Sequence, residues 1–248
     1  MSLTYSRLLC FPGIAADERL FDRQRDAFPD LLVAPWLTPR RAEPVGAYVA
    51  RQLDALGIDA ARVRAGDEPP VIPFGQSFGG WLGIAAAAHL GSPLVLIIAN
   101  APVPEMVSDE MQRKVAQLSA LPHWAIMAFA RTYKAFLAAR CAARRLPPRD
   151  LSRMPLGFPA RMLLWSGLVM SQPLPEPPPG CCVRRGYARH DPVVRYERLP
   201  SGHTADLVVE TDSHIFNHTN ADEVNAWIRR TVAEALHPAN ATNTEPRV

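Results

Sequence analysis

Val71-Ile72-Pro73-Phe74-Gly75-Gln76-Ser77-Phe78-Gly79-Gly80 joins an apolar run to a serine flanked by glycines, and the alanine-rich stretch 81–90 follows it. The apolar run predicts a buried strand over 71–74, and the stretch after it predicts a helix over 78–90. Between them stands Gly-x-Ser-x-Gly, extended by Gly80. Glycines at this spacing let a strand and a helix approach without Cβ clashes and leave the serine on a strained turn. The helix amino terminus then sets a partial positive charge beneath any anion formed at that serine. Ser77 is therefore the candidate nucleophile. The plainer alternative is a tight turn whose serine only caps the helix.

Working outward from this stretch, short β-branched or leucine-rich runs alternate with longer amphipathic segments, the pattern of strands that cross over through helices. Strands are expected at 7–11, 31–35, 71–74, 94–99, 181–185 and 206–210. Helices are expected at 17–27, 45–56, 78–90, 193–199 and 221–236. Asn220 and Glu223 have the spacing of a capping box for the last of these. The interval 103–180 breaks the alternation, reading as helices without strands and closing in the proline-rich turn 173–180. The fold class expected is α/β, a mostly parallel sheet of about six strands. Residues 1–102 and 181–248 would form its core, with a helical insertion at 103–180 after the fourth strand. Such an insertion would lie over the carboxyl edge of the sheet, where ligands bind in folds of this kind.

Size and charge narrow the function classes. The 248 residues suit one α/β domain with an insertion, and 48% hydrophobic residues suffice for a large core. A net charge of +3 is too small to make nucleic-acid binding the main activity. No stretch has the length of apolar sequence that a membrane span needs. The amino-terminal residues lack a basic region followed by a sustained apolar one, so no signal peptide is expected. Cys10, Cys141, Cys181 and Cys182 form neither a disulfide framework nor a metal box. The default compartment is a reducing cytoplasm, and neither a metal nor an organic cofactor is expected.

With the Gly-x-Ser-x-Gly stretch between strand and helix, the chain resembles the α/β-hydrolase superfamily over nearly its whole length. Several site residues follow from that resemblance. The first strand ends in Phe11-Pro12-Gly13-Ile14-Ala15, where the family usually shows His-Gly; here Pro12 stands in the histidine's place. By position, the backbone N–H groups of Ile14 and Phe78 would form an oxyanion hole, with Ala15 as the alternative to Ile14. The general base belongs in the loop after the last strand, which points to His214 rather than His203 or His218. The acid belongs after the preceding strand, where Gly186 to Val194 is similar to the family's G-x-x-D-x-x-V, though with a longer gap from Gly186 to Asp191. Asp191 is thus expected to orient His214, with Glu105 as runner-up and an ordinary helix cap as the structural alternative. The chain order Ser77, Asp191, His214 is the order of this fold.

A serine in this place implies acyl transfer to water through an acyl-enzyme, on a small-molecule acyl ester or thioester. For the acyl group only the insertion gives a guide. Apart from Met1, every methionine lies in it, together with Trp124, Phe129, Tyr133, Phe136 and Trp165. Such residues suit contact with an apolar acyl chain, or they pack the insertion's own core. Residues 123–153 also hold Arg131, Lys134, Arg140, Arg144, Arg145, Arg149 and Arg153 against Asp150 as their single acid. That face would suit an acidic carrier protein or the phosphates of coenzyme A, and a solvated helix face is the alternative. On this reading the chain is similar to type II thioesterases, which also open with a Cys-Phe-Pro-like strand end. It departs from them in having Gln76 rather than histidine before the serine.

Overall fold

The computed structural model describes residues 7–91, 95–101, 104–170 and 176–236. Six strands, β1 (Arg7–Phe11), β2 (Leu32–Val33), β3 (Val71–Gln76), β4 (Val95–Ala99), β5 (Cys182–Ala188) and β6 (Leu207–Val209), form one sheet in the order β2-β1-β3-β4-β5-β6. Every neighbouring pair is parallel. The order reverses between β1 and β3, so their carboxyl ends open a crevice. Ile14 follows the first of these strands and Ser77 the second.

Alternation along β1 supplies both faces of the sheet. Leu8 and Cys10 join a core with Phe74, Phe216 and Trp227, covered by α1 (Asp22–Arg25), α9 (Phe216–Thr219) and α10 (Ala221–Leu236). Leu9 and Phe11 join the opposite core with Tyr48, Phe78 and Trp81. There α2 (Val45–Ala55), α3 (Ala60–Ala65) and α4 (Gly79–Leu90) cover the sheet. Between β4 and β5 the described residues hold helices and no strand: α5 (Asp109–Ser119), α6 (His123–Ala143), α7 (Met154–Gly157) and α8 (Ala160–Met170). Phe158 and, from α8, Met162, Trp165 and Val169 belong to the same core as Phe78. The expected turn at 173–180 begins outside the described residues.

Three local expectations are corrected below and one helix is added, and the strand expected at 181–185 runs on through Gly186 to Ala188, where it pairs with β6. The helix expected at 17–27 divides into a 3-10 turn at Glu18–Phe21 and the short α1, because the Asp17 side chain accepts from the Arg19 N–H and tightens the first turn. The strand at 31–35 shortens to β2, an edge strand with one neighbour. Helix α3, not foreseen, starts where Asp59 accepts from the N–H groups of Ala61 and Arg62 and stops at Gly66, whose φ is +80°. The helix at 193–199 is only a 3-10 turn, Tyr196–Arg198, since Val194 is drawn into an antiparallel bridge with Val107. Among the described residues no helix is long and apolar enough to cross a membrane.

Candidate active site

Ser77 leaves β3 with φ +54°, a left-handed backbone that costs a non-glycine residue roughly 1–3 kcal/mol. Its N–H donates to the Ala99 carbonyl at 2.8 Å, which ties the turn to the adjacent strand. The glycines around it have no room for a side chain. A Cβ on Gly75 would stand 2.3 Å from the Gly79 carbonyl oxygen, and one on Gly79 would stand 2.0 Å from that of Phe11. The 12 residues of α4 begin two positions after Ser77, and the Gly80 N–H donates back to the Ser77 carbonyl at 2.8 Å.

Strands β5 and β6 carry their following loops to the same edge. The Arg189 N–H donates to Val209 O and the His190 N–H to Thr211 O, so residues 189–191 run beside 209–214. This register brings His214 Nδ1 to 2.7 Å from Asp191 Oδ2, while His214 Nε2 stands 3.0 Å from Ser77 Oγ. The Asp191 side chain is fully buried, while that of His214 keeps 25% of its exposure. Asp191 Oδ1 accepts from the N–H groups of Val193 and Val194 at 2.7 and 3.1 Å. No helix starts at Val193 for Asp191 to cap; its bonds to the following turn and its contact with the imidazole coexist, one on each oxygen.

The other candidates stand apart. Glu105 is exposed, in the 3-10 turn Pro104–Met106, and makes no hydrogen bond to His214. His203 lies in the turn that leads into β6, where its N–H donates to Pro200 O. Burial, then the nearby Arg185, holds its imidazole below the usual histidine value. His218 lies in α9, its Nδ1 buried without a hydrogen-bond partner among the described residues.

Ile14 lies in the loop after β1, and Phe78 directly follows Ser77. Gly13 brings the first loop close, since a Cβ there would be 3.1 Å from the Ser77 Cβ and 2.6 Å from Gln76 Oε1. Ala15, with φ +62°, turns the chain so that the Ala16 N–H returns to Gly13 O. Trp36 stacks on Phe78 with centroids 6.5 Å apart and meets Phe158 edge-on at 5.0 Å, and Trp165 meets Phe78 edge-on at 5.9 Å. The wall behind Phe78 is thus aromatic. The methionines divide: Met106, Met154 and Met162 are buried in the cores, whereas Trp124, Phe129, Tyr133 and Phe136 of α6 are exposed, Trp124 by 75%.

Gln76 and Asn100 are two site residues for which no role is legible in the sequence. The Gln76 and Asn100 side-chain amides both donate to the backbone carbonyl of His214, each at 3.0 Å. The one available sign is a polar residue ending each of two apolar strands. Among the described residues no group of three His, Cys, Asp or Glu side chains could hold a metal ion. Chemically, a hydroxyl beside an imidazole that is itself paired with a buried carboxylate can lose its proton to that imidazole as the oxygen attacks a carbonyl carbon.

No protein-family model matches the sequence, nor does any curated protein. Solved structures are similar to it. A thermophilic esterase from Thermogutta terrifontis is 15% identical at a TM-score of 0.59, covering 92% of this chain and 90% of its own. An esterase from Exiguobacterium antarcticum is 13% identical at 0.59, covering 92% of each chain. A thioesterase of the prodiginine biosynthetic pathway in Streptomyces coelicolor is 18% identical at 0.53, covering 91% and 85%. Likeness at these identities establishes the shared architecture: the chain has the α/β-hydrolase fold.

Proposed function

We propose that this chain is a serine hydrolase that cleaves carboxylic esters of apolar acyl groups through an acyl-enzyme. The observation that carries the reading is the unbroken contact from Ser77 Oγ through His214 to the buried Asp191. His214 takes the Ser77 proton as the oxygen attacks the acyl carbon, then delivers it to the departing alkoxide. Water, deprotonated by the same imidazole, releases the acid and restores the serine. Asp191 holds the ring with Nδ1–H toward itself and stabilises the imidazolium. The backbone N–H groups of Phe78 and Ile14 receive the oxyanion. Residues 1–102 and 181–248 form the hydrolase core and 103–180 its lid, whose Phe158 and Trp165 pack on the aromatic wall by Phe78.

A second reading, a thioesterase acting on acyl-carrier or acyl-coenzyme A thioesters, is favoured by the cationic surface of α6 and the residues that follow it. Arg131, Arg140, Arg144 and Arg145 are exposed there and have no acidic partner among the described residues. A fluorophosphonate probe tests the reaction class. It should label Ser77 and no other serine, and Ser77→Ala should abolish the adduct. Wild-type protein without an adduct would indicate a ligand-binding protein on a hydrolase fold. p-Nitrophenyl esters and acyl-coenzyme A thioesters compared side by side separate the two substrate classes.

A further inference from the structure

Asn100 links backbone groups of the two segments that lead to Asp191 and His214. It follows β4, between β3 and β5, and is fully buried with φ +46°. Its N–H donates to Gly186 O at 2.9 Å, which continues the β4–β5 ladder one residue past the strand. The side chain then turns to two loops at once. Oδ1 accepts from the Ala188 N–H at 3.0 Å, three residues before Asp191, and Nδ2 donates to the His214 carbonyl at 3.0 Å. The preceding residue, Ala99, accepts from the Ser77 N–H.

Gln76 reaches the same carbonyl from the other side of the elbow. It is buried directly before Ser77, and its Nε2 donates to His214 O at 3.0 Å. A carbonyl oxygen has two lone pairs, and here two amides that have no other route to water fill both. Buried amides of this kind are costly to leave unpaired, so the two bonds resist any displacement of the His214 backbone. The His214 ring meets Asp191 and Ser77 through its two nitrogens, and the two amides hold the backbone that carries it.

We infer that Asn100 and Gln76 are positioning residues that fix the general base through its backbone carbonyl and keep the Ser77, Asp191 and His214 loops in register. The inference rests on the roles proposed above for those three residues. It predicts a loss in turnover with little loss in substrate binding, because the two amides act on His214 and not on the acyl group.

Two substitutions test it. Asn100→Gly accepts the left-handed backbone and removes both side-chain bonds. Gln76→Met keeps length and burial and removes the donor. For p-nitrophenyl butyrate each should lower kcat roughly 10- to 100-fold, as expected when a base is held about 1 Å out of place. KM should stay within about two-fold. Amide hydrogen exchange should accelerate in residues 211–218 and not across the rest of the sheet. Should Asn100→Gly fail to fold, Gln76→Met decides alone. An unchanged kcat, or a fall in kcat accompanied by an equal rise in exchange throughout the molecule, overturns the inference. If wild-type protein hydrolyses no ester and takes no fluorophosphonate, the proposed function fails instead. Hydrogen exchange then still decides the positioning role, and the absence of local acceleration in either folded variant overturns it.

Discussion

Asp191 divides its work between two oxygens, which makes an isosteric substitution informative. In Asp191→Asn the amide oxygen can still accept from Val193 and Val194, so the turn and the fold should persist. The amide nitrogen would face His214 Nδ1 as a donor, favouring the wrong tautomer and leaving an imidazolium unsupported. Steady-state kinetics should show kcat lowered by about 10⁴, the size of loss seen when a triad aspartate elsewhere is replaced by asparagine. Glu105→Gln, at an exposed site with no bond to the imidazole, should be nearly silent. A reversal of these two results would move the acid to the turn after β4 and leave Asp191 to its turn contacts with Val193 and Val194.

At the level of elements, the loop from Trp36 to Pro44 is fastened between α2 and α8. Arg51 of α2 donates to both Glu43 carboxylate oxygens, at 2.9 and 2.8 Å, and the Arg40 N–H adds a third bond. The Glu43 carbonyl accepts from Trp165 Nε1 of α8 at 2.7 Å. Burial by itself would raise the Glu43 carboxyl, but the Arg51 hydrogen bonds and then Arg40 outweigh it and hold it below its ordinary value. A carboxyl held low in the folded state stabilises the fold fully above its unfolded value, about 4.3, and loses that contribution as pH falls through the folded value. Arg51→Met should therefore cost roughly 2–3 kcal/mol near neutrality, less than a wholly buried pair because Arg51 is partly exposed. Thermal melts of both proteins between about pH 7 and pH 3 should converge at the acid end, where Glu43 is neutral in each. A gap independent of pH would assign the loss to Arg51's packing rather than its charge.

Over the whole molecule, charge is uneven. The chain carries +3 in total, yet α6 and the residues after it expose Arg140, Arg144 and Arg145 beside Phe129, Tyr133 and Phe136. If these arginines guide a carrier protein or coenzyme A, they act over distances that salt screens, about 8 Å at physiological ionic strength. Raising salt from about 20 mM to about 300 mM shortens that range roughly fourfold. It should then depress kcat/KM for acyl-carrier or acyl-coenzyme A substrates and leave neutral p-nitrophenyl esters almost unchanged. Replacing all three arginines by glutamate should remove the salt effect while ester hydrolysis persists. Equal responses from charged and neutral substrates would leave the face as solvated surface.

The elbow was legible in the sequence because everything that makes it is local. A strand, a turn and a helix within residues 71–90 need only an apolar run, glycines at the right spacing and a good helix former. The alternation of strands and helices was legible for the same reason, and so was the α/β architecture. Where the reading failed, tertiary partners overrode a local pattern: Val194 was claimed by Val107, and β2 was limited to two residues at an edge. The signals that bound α3, Asp59 at its start and Gly66 at its end, are local and stand in the sequence. The meeting of Ser77 with His214, 137 positions apart, depends on the order of six strands and on the β5–β6 register. So does the pair of amides on the His214 carbonyl. No residue's own propensity encodes a 3.0 Å contact between chain segments that only the sheet brings together, and that is why Gln76 and Asn100 became visible only in the folded structure.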